Sequence, residues 1–279
     1  MTAMRTLDGS EAGGQFLRTA LSLAVVRNEP VRVEHVRGNR STPGLRHQHL
    51  AVLETLAELA DADVTGAELG AETVTFDPGT ASIPGGTYEA TIGTAGSITL
   101  LFDAVLPLAS RLEEPLRLTV TGGTDVAWSP PLDYFREVKL PLLRRYGLTA
   151  ACEVDRRGFY PDGGGRATLS LAPSRLERIE LAERGPLEGV RIYSTEAAAL
   201  ADRDVAFRQA TGALERLETG QFDGVLERRG TTAESPSPGW RSSFGWTTEP
   251  ASRASTPSAN GGRRPNASAR TRPTRRIAS

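Results

Sequence analysis

Between Gln15 and Leu23 the apolar residues Phe16, Leu17, Ala20, Leu21 and Leu23 recur at steps of mostly three and four, the spacing that gathers them on one face of a helix. A glycine-rich turn, Asp8-Gly9-Ser10-Glu11-Ala12-Gly13-Gly14, leads into that helix. The period then changes. Residues 31–36 (Val-Arg-Val-Glu-His-Val) alternate and are rich in valine, which predicts a strand that includes His35. Pro43 and Gly44 mark a loop before a second helix over 48–59, and residues 64–69 and 73–76 read as two short strands. Further along, the same order of signals returns: a strand at 88–92, a helix near 97–110, a strand at 116–121, a helix near 132–146, and strands at 150–155 and 166–171.

The second series is a copy of the first. Glu29-Pro30-Val31-Arg32-Val33 returns as Glu114-Pro115-Leu116-Arg117-Leu118, and the Gly9 to Gly14 turn returns as Gly93 to Gly96. Residues 7–79 are thus loosely repeated by 91–171, and only the first copy carries Arg and Gln where the second is apolar or small. Two such units predict sheets with helices packed on one face, an α+β fold made by duplication. The loaded copy is where chemistry is expected.

Composition divides the chain again at Trp240. The forty residues from there contain no Leu, Val, Asp, Lys or His, and set eight arginines against one glutamate among Ser, Pro, Thr, Ala and Gly. Such a segment buries too little apolar surface to offset chain entropy, and disorder is expected for 240–279. A basic arm for nucleic acid is one reading of it. An out-of-frame GC-rich message is the reading we favour, given one Lys against 32 Arg in the whole chain. The lone Cys152 excludes an intrachain disulfide. No secretory leader or membrane span is evident, since Arg18 and Arg27 interrupt the most apolar early stretch, so a cytoplasmic location is expected.

Candidate chemistry starts at the first turn, where bare glycine backbone and unpaired helix N–H groups suit an anion. Arg18 lies one turn into the helix. Arg37-Gly38-Asn39-Arg40-Ser41-Thr42-Pro43-Gly44-Leu45-Arg46 follows the next strand, with Gln48 just beyond. Guanidinium groups three apart around a glycine loop can converge on phosphate oxygens; the bland reading is a solvated loop. His47 and His49, two apart on a helix, point away from each other and are not expected to ligate a metal. Asp125 can position substrate or merely cap a turn. Tyr160, in the glycine-rich Arg157 to Gly165 hairpin, can stack a base, although core packing is the favoured reading.

These segments, together with Gly93-Thr94-Ala95-Gly96-Ser97, Gly122-Gly123-Thr124-Asp125 and the glycine-rich run Arg157 to Gly165, resemble the RNA 3′-terminal phosphate cyclases over about residues 5–238. The resemblance implies an ATP-dependent ligase that converts an RNA 3′-phosphate to a 2′,3′-cyclic phosphate. Members adenylylate a histidine, pass AMP to the RNA end, and let the 2′-hydroxyl displace it, assisted by a divalent metal, Mg or Mn. It implies units of two helices on a four-stranded sheet, three in the family and two here (1–84 and 85–175). It also implies part of an inserted α/β domain at 176–239, with a strand at 189–193, a helix at 202–217 and a strand at 224–227. Carried over by position, Glu11, Arg18, Arg37, Arg40 and Gln48 line the nucleotide and RNA-phosphate site. Asp103 stands where many members have an ATP-contacting Gln, and an ionised carboxylate donates no hydrogen bond.

The family nucleophile is a histidine in the third repeat, beyond the insert, and no histidine follows His49 here. No catalytic residue can therefore be assigned, and the expectation is a chain unable to form the enzyme–AMP intermediate. The alternative is a non-catalytic cyclase-like RNA-binding protein of ribosome biogenesis. RNA 3′ ends and ATP are the expected partners, with no membrane; oligomeric state is left open.

Overall fold

Val31 and Val33 point inward from a strand whose intervening Arg32 and Glu34 are half-exposed, and this alternation decides which face of the first sheet receives the helices. In the computed structural model, which describes residues 3–180, 182–183, 185–219, 224–248 and 275–276, the first repeat runs β1 (Arg5–Asp8), α1 (Gly14–Arg27), β2 (Val31–Glu34), α2 (His47–Ala60), β3 (Asp63–Thr65) and β4 (Val74–Asp77). Its sheet order is β1-β2-β4-β3, with β1 and β2 parallel and the other pairs antiparallel.

The second repeat runs β5 (Gly86–Thr91), α3 (Ile98–Val105), β6 (Leu116–Gly122), α4 (Leu132–Tyr134), α5 (Leu140–Arg144), β7 (Ala150–Arg156) and β8 (Gly165–Leu171). The order β5-β6-β8-β7 has the same pairing senses, so the duplication read from sequence is a duplication of topology. The two-residue β12 (Arg275–Arg276) pairs beside the β5 edge.

Helix α1 buries Leu17, Ala20, Leu21, Ala24 and Val25, a stripe at steps of three and four. Each of its large aliphatic side chains contributes about 2 kcal/mol on burial. It packs on α2 and α3, so one core serves both repeats and includes Leu53, Leu56, Phe76, Phe102 and Leu118. Ser22 on α1 strengthens the join by donating to the Ala104 carbonyl on α3 at 2.7 Å. Asn28, in the left-handed region at φ 52°, ends α1.

The helix expected near 132–146 is interrupted. Phe135–Lys139 forms a π turn between α4 and α5. Pro141 is the physical cause: it lacks an N–H for the Glu137 carbonyl and its ring crowds that carbonyl, so the turn widens ahead of it.

Beyond residue 186, β9 (Leu187–Ala197), α6 (Val205–Thr219), β10 (Val225–Ala233) and β11 (Trp240–Thr248) form a smaller α/β unit with sheet order β10-β9-β11. Ala210 and Leu214 of α6 pack on Val190 and Ile192. Strand β11 corrects the expectation that 240–279 is disordered from its first residue: Trp240 to Thr248 pairs antiparallel with β9 throughout. Trp, Phe and Thr at 240, 244 and 246–248 favour a strand, a local signal lost when forty residues are averaged. The remaining expectation for the tail falls on 249–274 and 277–279, outside the described residues.

Three smaller differences follow from local geometry. Strand β2 ends at Glu34, and His35 lies beyond it at φ 50°. The Tyr160 side chain is 63% exposed, because Phe159 takes the buried place against Gly239 instead. Asp125, 3% exposed, is paired with Arg157 and belongs to the core of the fold.

Candidate functional site

The loops that follow β1 and β2 meet at the carboxyl ends of these parallel strands. Asn39 N–H donates to the Ser10 carbonyl at 2.9 Å, and Gly9 N–H to the Glu34 carbonyl at 2.8 Å. Helices α1 and α2 begin here with no acidic residue in either first turn, so their unpaired N–H groups present positive potential to the same space. Within it, Arg40 Nη2 lies 3.2 Å from the place a Cβ on Gly13 would take, over the start of α1. Arg37, held at φ 56°, donates from Nη1 to the Gly44 carbonyl at 2.8 Å. Gly44 itself sits at φ 74° against the Gly70 carbonyl, where a side chain would collide.

His49 is the residue around which these groups gather. It is 8% exposed, and burial, together with the charges of Arg37, Arg18 and Arg46, pushes its pKa down to about 4. The imidazole is therefore neutral at neutral pH. Its Nδ1 accepts the Arg46 N–H at 3.2 Å, which puts the ring proton on Nε2, facing Gly14.

Arg18 is 7% exposed, donates from Nη2 to Gln15 at 2.7 Å, and leaves Nε buried without a hydrogen-bond partner. Burial lowers its pKa, with the Asp103 charge opposing. Arg37 is lowered likewise, by burial and then by Arg46 and Arg40. Crowded guanidinium groups of this kind are costly without an anion among them.

Of the residues expected at the site, Arg18 and Arg37 share the electrostatic surroundings of His49, and Arg40 those of Arg37. Glu11 stands in the turn before α1, where its carboxylate accepts from Asn39 Nδ2. Asp103, on α3, shares a cleft of about 90 Å³ with Arg18, Gln15 and Ser22 and pairs with Lys139 at 2.7 Å. Gln48 is turned to the second repeat: its Nε2 donates to the Ser97 carbonyl at 3.2 Å, and its Oε1 accepts the Ser97 N–H. Its contribution is to fix the start of α3 beside the start of α2. His47 faces Gly93 and His49 faces Gly14, so the two imidazoles diverge as their spacing predicts. Among the described residues no three His, Cys, Asp or Glu side chains converge to hold a metal.

Sequence reasoning included Arg46 in the arginine loop without a role of its own, weighed His49 only as a metal ligand, and missed Lys139. The sequence carried a signal only for Arg46, which closes the arginine loop. It also missed a buried cluster that joins the second repeat to the insert. Arg157 pairs with Asp125 at 3.0 Å and with Asp133 at 2.5 Å, and Asp133 accepts from Thr195 Oγ1 on β9 at 3.0 Å. Burial alone would lower the Arg157 pKa; Asp125 and Asp133 outweigh it and hold the group above its ordinary value.

The family profile described as RNA 3′-terminal phosphate cyclase matches residues 9–248. Among curated relatives, the RNA 3′-terminal phosphate cyclase of Halobacterium salinarum is 50% identical over 219 residues, covering 75% of this chain and 65% of the relative. The Methanopyrus kandleri protein of the same name is 45% identical over 215 residues, covering 76% and 60%. That of Pseudomonas fluorescens is 42% identical over 191 residues, covering 68% and 55%. In these comparisons the match spans less than two thirds of the relative's own length. No helix among the described residues is long and apolar enough to cross a membrane. The match over most of its length shows that the chain belongs to the RNA 3′-terminal phosphate cyclase family.

Proposed function

We propose that the arginine cradle binds the 3′-terminal phosphate of RNA and the phosphates of ATP, the substrates of a reaction that makes a 2′,3′-cyclic phosphate through enzyme–AMP and RNA–AMP intermediates. The supporting observation is that the charges of Arg18, Arg37 and Arg46 bear on one neutral histidine at two helix N-termini, with Arg40 acting on Arg37 and lying over the start of α1. The nearby carboxylates are already engaged, Glu11 by Asn39 and Asp103 by Lys139. Planar guanidinium forks match phosphate oxygens, and His49 Nε2–H adds a neutral donor.

A divalent cation, Mg or Mn, fits here as an ion carried largely by the phosphates, a coordination that needs only one or two protein carboxylates. Glu11 would hold it through the carboxylate oxygen that Asn39 does not use, and it would supply charge neutralisation on the transferred phosphate.

Adenylylation of a histidine requires a nitrogen lone pair free to attack phosphorus. At the cradle that lone pair is spent, because His49 Nδ1 accepts the Arg46 N–H; His35, which donates from Nδ1 to Asp8 at 3.1 Å and keeps Nε2 open, stands on the exposed surface beyond β2. The reading is a chain whose cradle binds substrates without adenylylating the histidine set in it. A non-catalytic RNA-binding role of the kind served by cyclase-like proteins of ribosome biogenesis is the second reading, which the same Arg37 and Arg40 loop supports.

ATP labelled on its α-phosphate, incubated with the chain and Mg²⁺ or Mn²⁺ and resolved on a denaturing gel, should leave no acid-labile protein band; such a band overturns the inert reading. In parallel, single-stranded RNA ending in a 3′-phosphate should bind about tenfold more tightly than the 3′-hydroxyl form. Equal affinities would remove the phosphate cradle.

A further inference from the structure

Lys139 is the single lysine of the chain, and it closes the π turn that Pro141 imposes. Its Nζ stands 2.7 Å from Asp103 Oδ1, the ammonium 31% and the carboxylate side chain 18% exposed. It lies off the hydrogen-bonding direction, so Oδ1 is buried with a charge partner and no directional bond. Asp103 and Arg18 line the same cleft between α1 and α3, close enough for the carboxylate to oppose the burial of the guanidinium. Yet the two form no ion pair. Arg18 Nε, on a residue 93% buried by its 7% exposure, has no partner.

A buried carboxylate beside a buried guanidinium ordinarily collapses into a bidentate pair, since each then offsets the desolvation of the other. Something holds Asp103 away, and the only group the structure places on its carboxylate at ion-pair distance, among the described residues, is Lys139.

We propose that Lys139 is a positioning residue for the anion site: it holds the Asp103 carboxylate off Arg18, and so leaves Arg18 Nε, beside the Nη2 that Gln15 holds, to a ligand oxygen. This rests on the phosphate-binding reading above. Without the ammonium, Asp103 turns onto Arg18 and competes with the incoming phosphate from inside the protein. The role requires a positive charge at 139 only while a carboxylate stands at 103.

That conditional is the test. Binding of a 3′-phosphorylated single-stranded RNA oligonucleotide is measured by calorimetry at fixed salt for the full chain and four variants. Lys139→Met should bind about tenfold more weakly, and Lys139→Arg within about threefold of the parent. Lys139→Met combined with Asp103→Asn should return to within about threefold, because the competing charge is gone. A purely structural lysine would not be rescued by a change at Asp103. Unchanged binding in Lys139→Met, or a double variant as weak as the single one, overturns the proposal. Arg37→Ala separates the two levels. If it weakens binding while Lys139→Met does not, only the role of Lys139 falls; if it changes nothing, the phosphate site falls and the lysine's role with it.

Discussion

The His49 imidazole occupies the space beside the Cα of Gly14: a Cβ on Gly14 would overlap Nε2 and stand 2.8 Å from Cδ2. The glycine that opens α1 thereby makes room for the histidine of α2, and the two helix N-termini close on one point. Exchanging glycine for alanine inside a helix ordinarily stabilises by about 0.5–1 kcal/mol. Here the sign should reverse. Gly14→Ala must displace a buried ring, an overpacking that costs about 1–3 kcal/mol. Thermal melts should show a lowered Tm, and affinity for 3′-phosphorylated RNA should fall with it. A raised Tm with unchanged affinity would show that His49 has no fixed place.

The same histidine should make stability fall in acid. Its pKa is about 4 folded, against an ordinary 6.5. Between these values the unfolded chain takes a proton that the native chain refuses, so stability rises with pH across that window and is flat above it. Protonation of the unfolded state costs the fold on the order of 3 kcal/mol by pH 4. Denaturant titrations at several pH values should show this slope in the parent chain and its reduction in His49→Gln. Parallel slopes in both proteins would mean that the imidazole is solvated.

Most of the fold was readable because it repeats. The three-and-four spacing through Leu17, Ala20 and Leu21, and its return in the second copy, reflect burial of one helix face against one sheet, and a sequence records that directly. The arginine loop was readable for a similar reason, since Gly38, Gly44 and the arginines among them are a local pattern. What escaped depends on contacts between distant segments. Whether Phe159 or Tyr160 is buried is decided by Gly239, in the loop before β11. Lys139 meets Asp103 across two separate helices, from the π turn that precedes Pro141. His49 looked like half of an unhelpful pair with His47, and its significance comes from Gly14 on the facing helix. Strand β11 escaped because composition was averaged across the boundary it crosses.

The last prediction concerns how the insert is held. Arg157 is 7% exposed and spans Asp125 and Asp133, themselves 3% and 7% exposed, and Thr195 of β9 reaches Asp133 from the other side. Removing the guanidinium strands two buried carboxylates, so Arg157→Ala should cost about 3–5 kcal/mol in denaturant unfolding. Lys in its place has one compact charge for two acceptors and should recover only part of that. Replacing all three charged groups together, as Arg157→Met with Asp125→Asn and Asp133→Asn, should cost less than Arg157→Ala alone, because the main penalty is the unpaired charge. Because the cluster bridges β9 to the second repeat, Arg157→Ala should also speed proteolysis within residues 172–186, the connection between them. A loss below about 1 kcal/mol with unchanged cleavage would show that Asp125 and Asp133 are satisfied elsewhere and that the insert is docked by its apolar contacts.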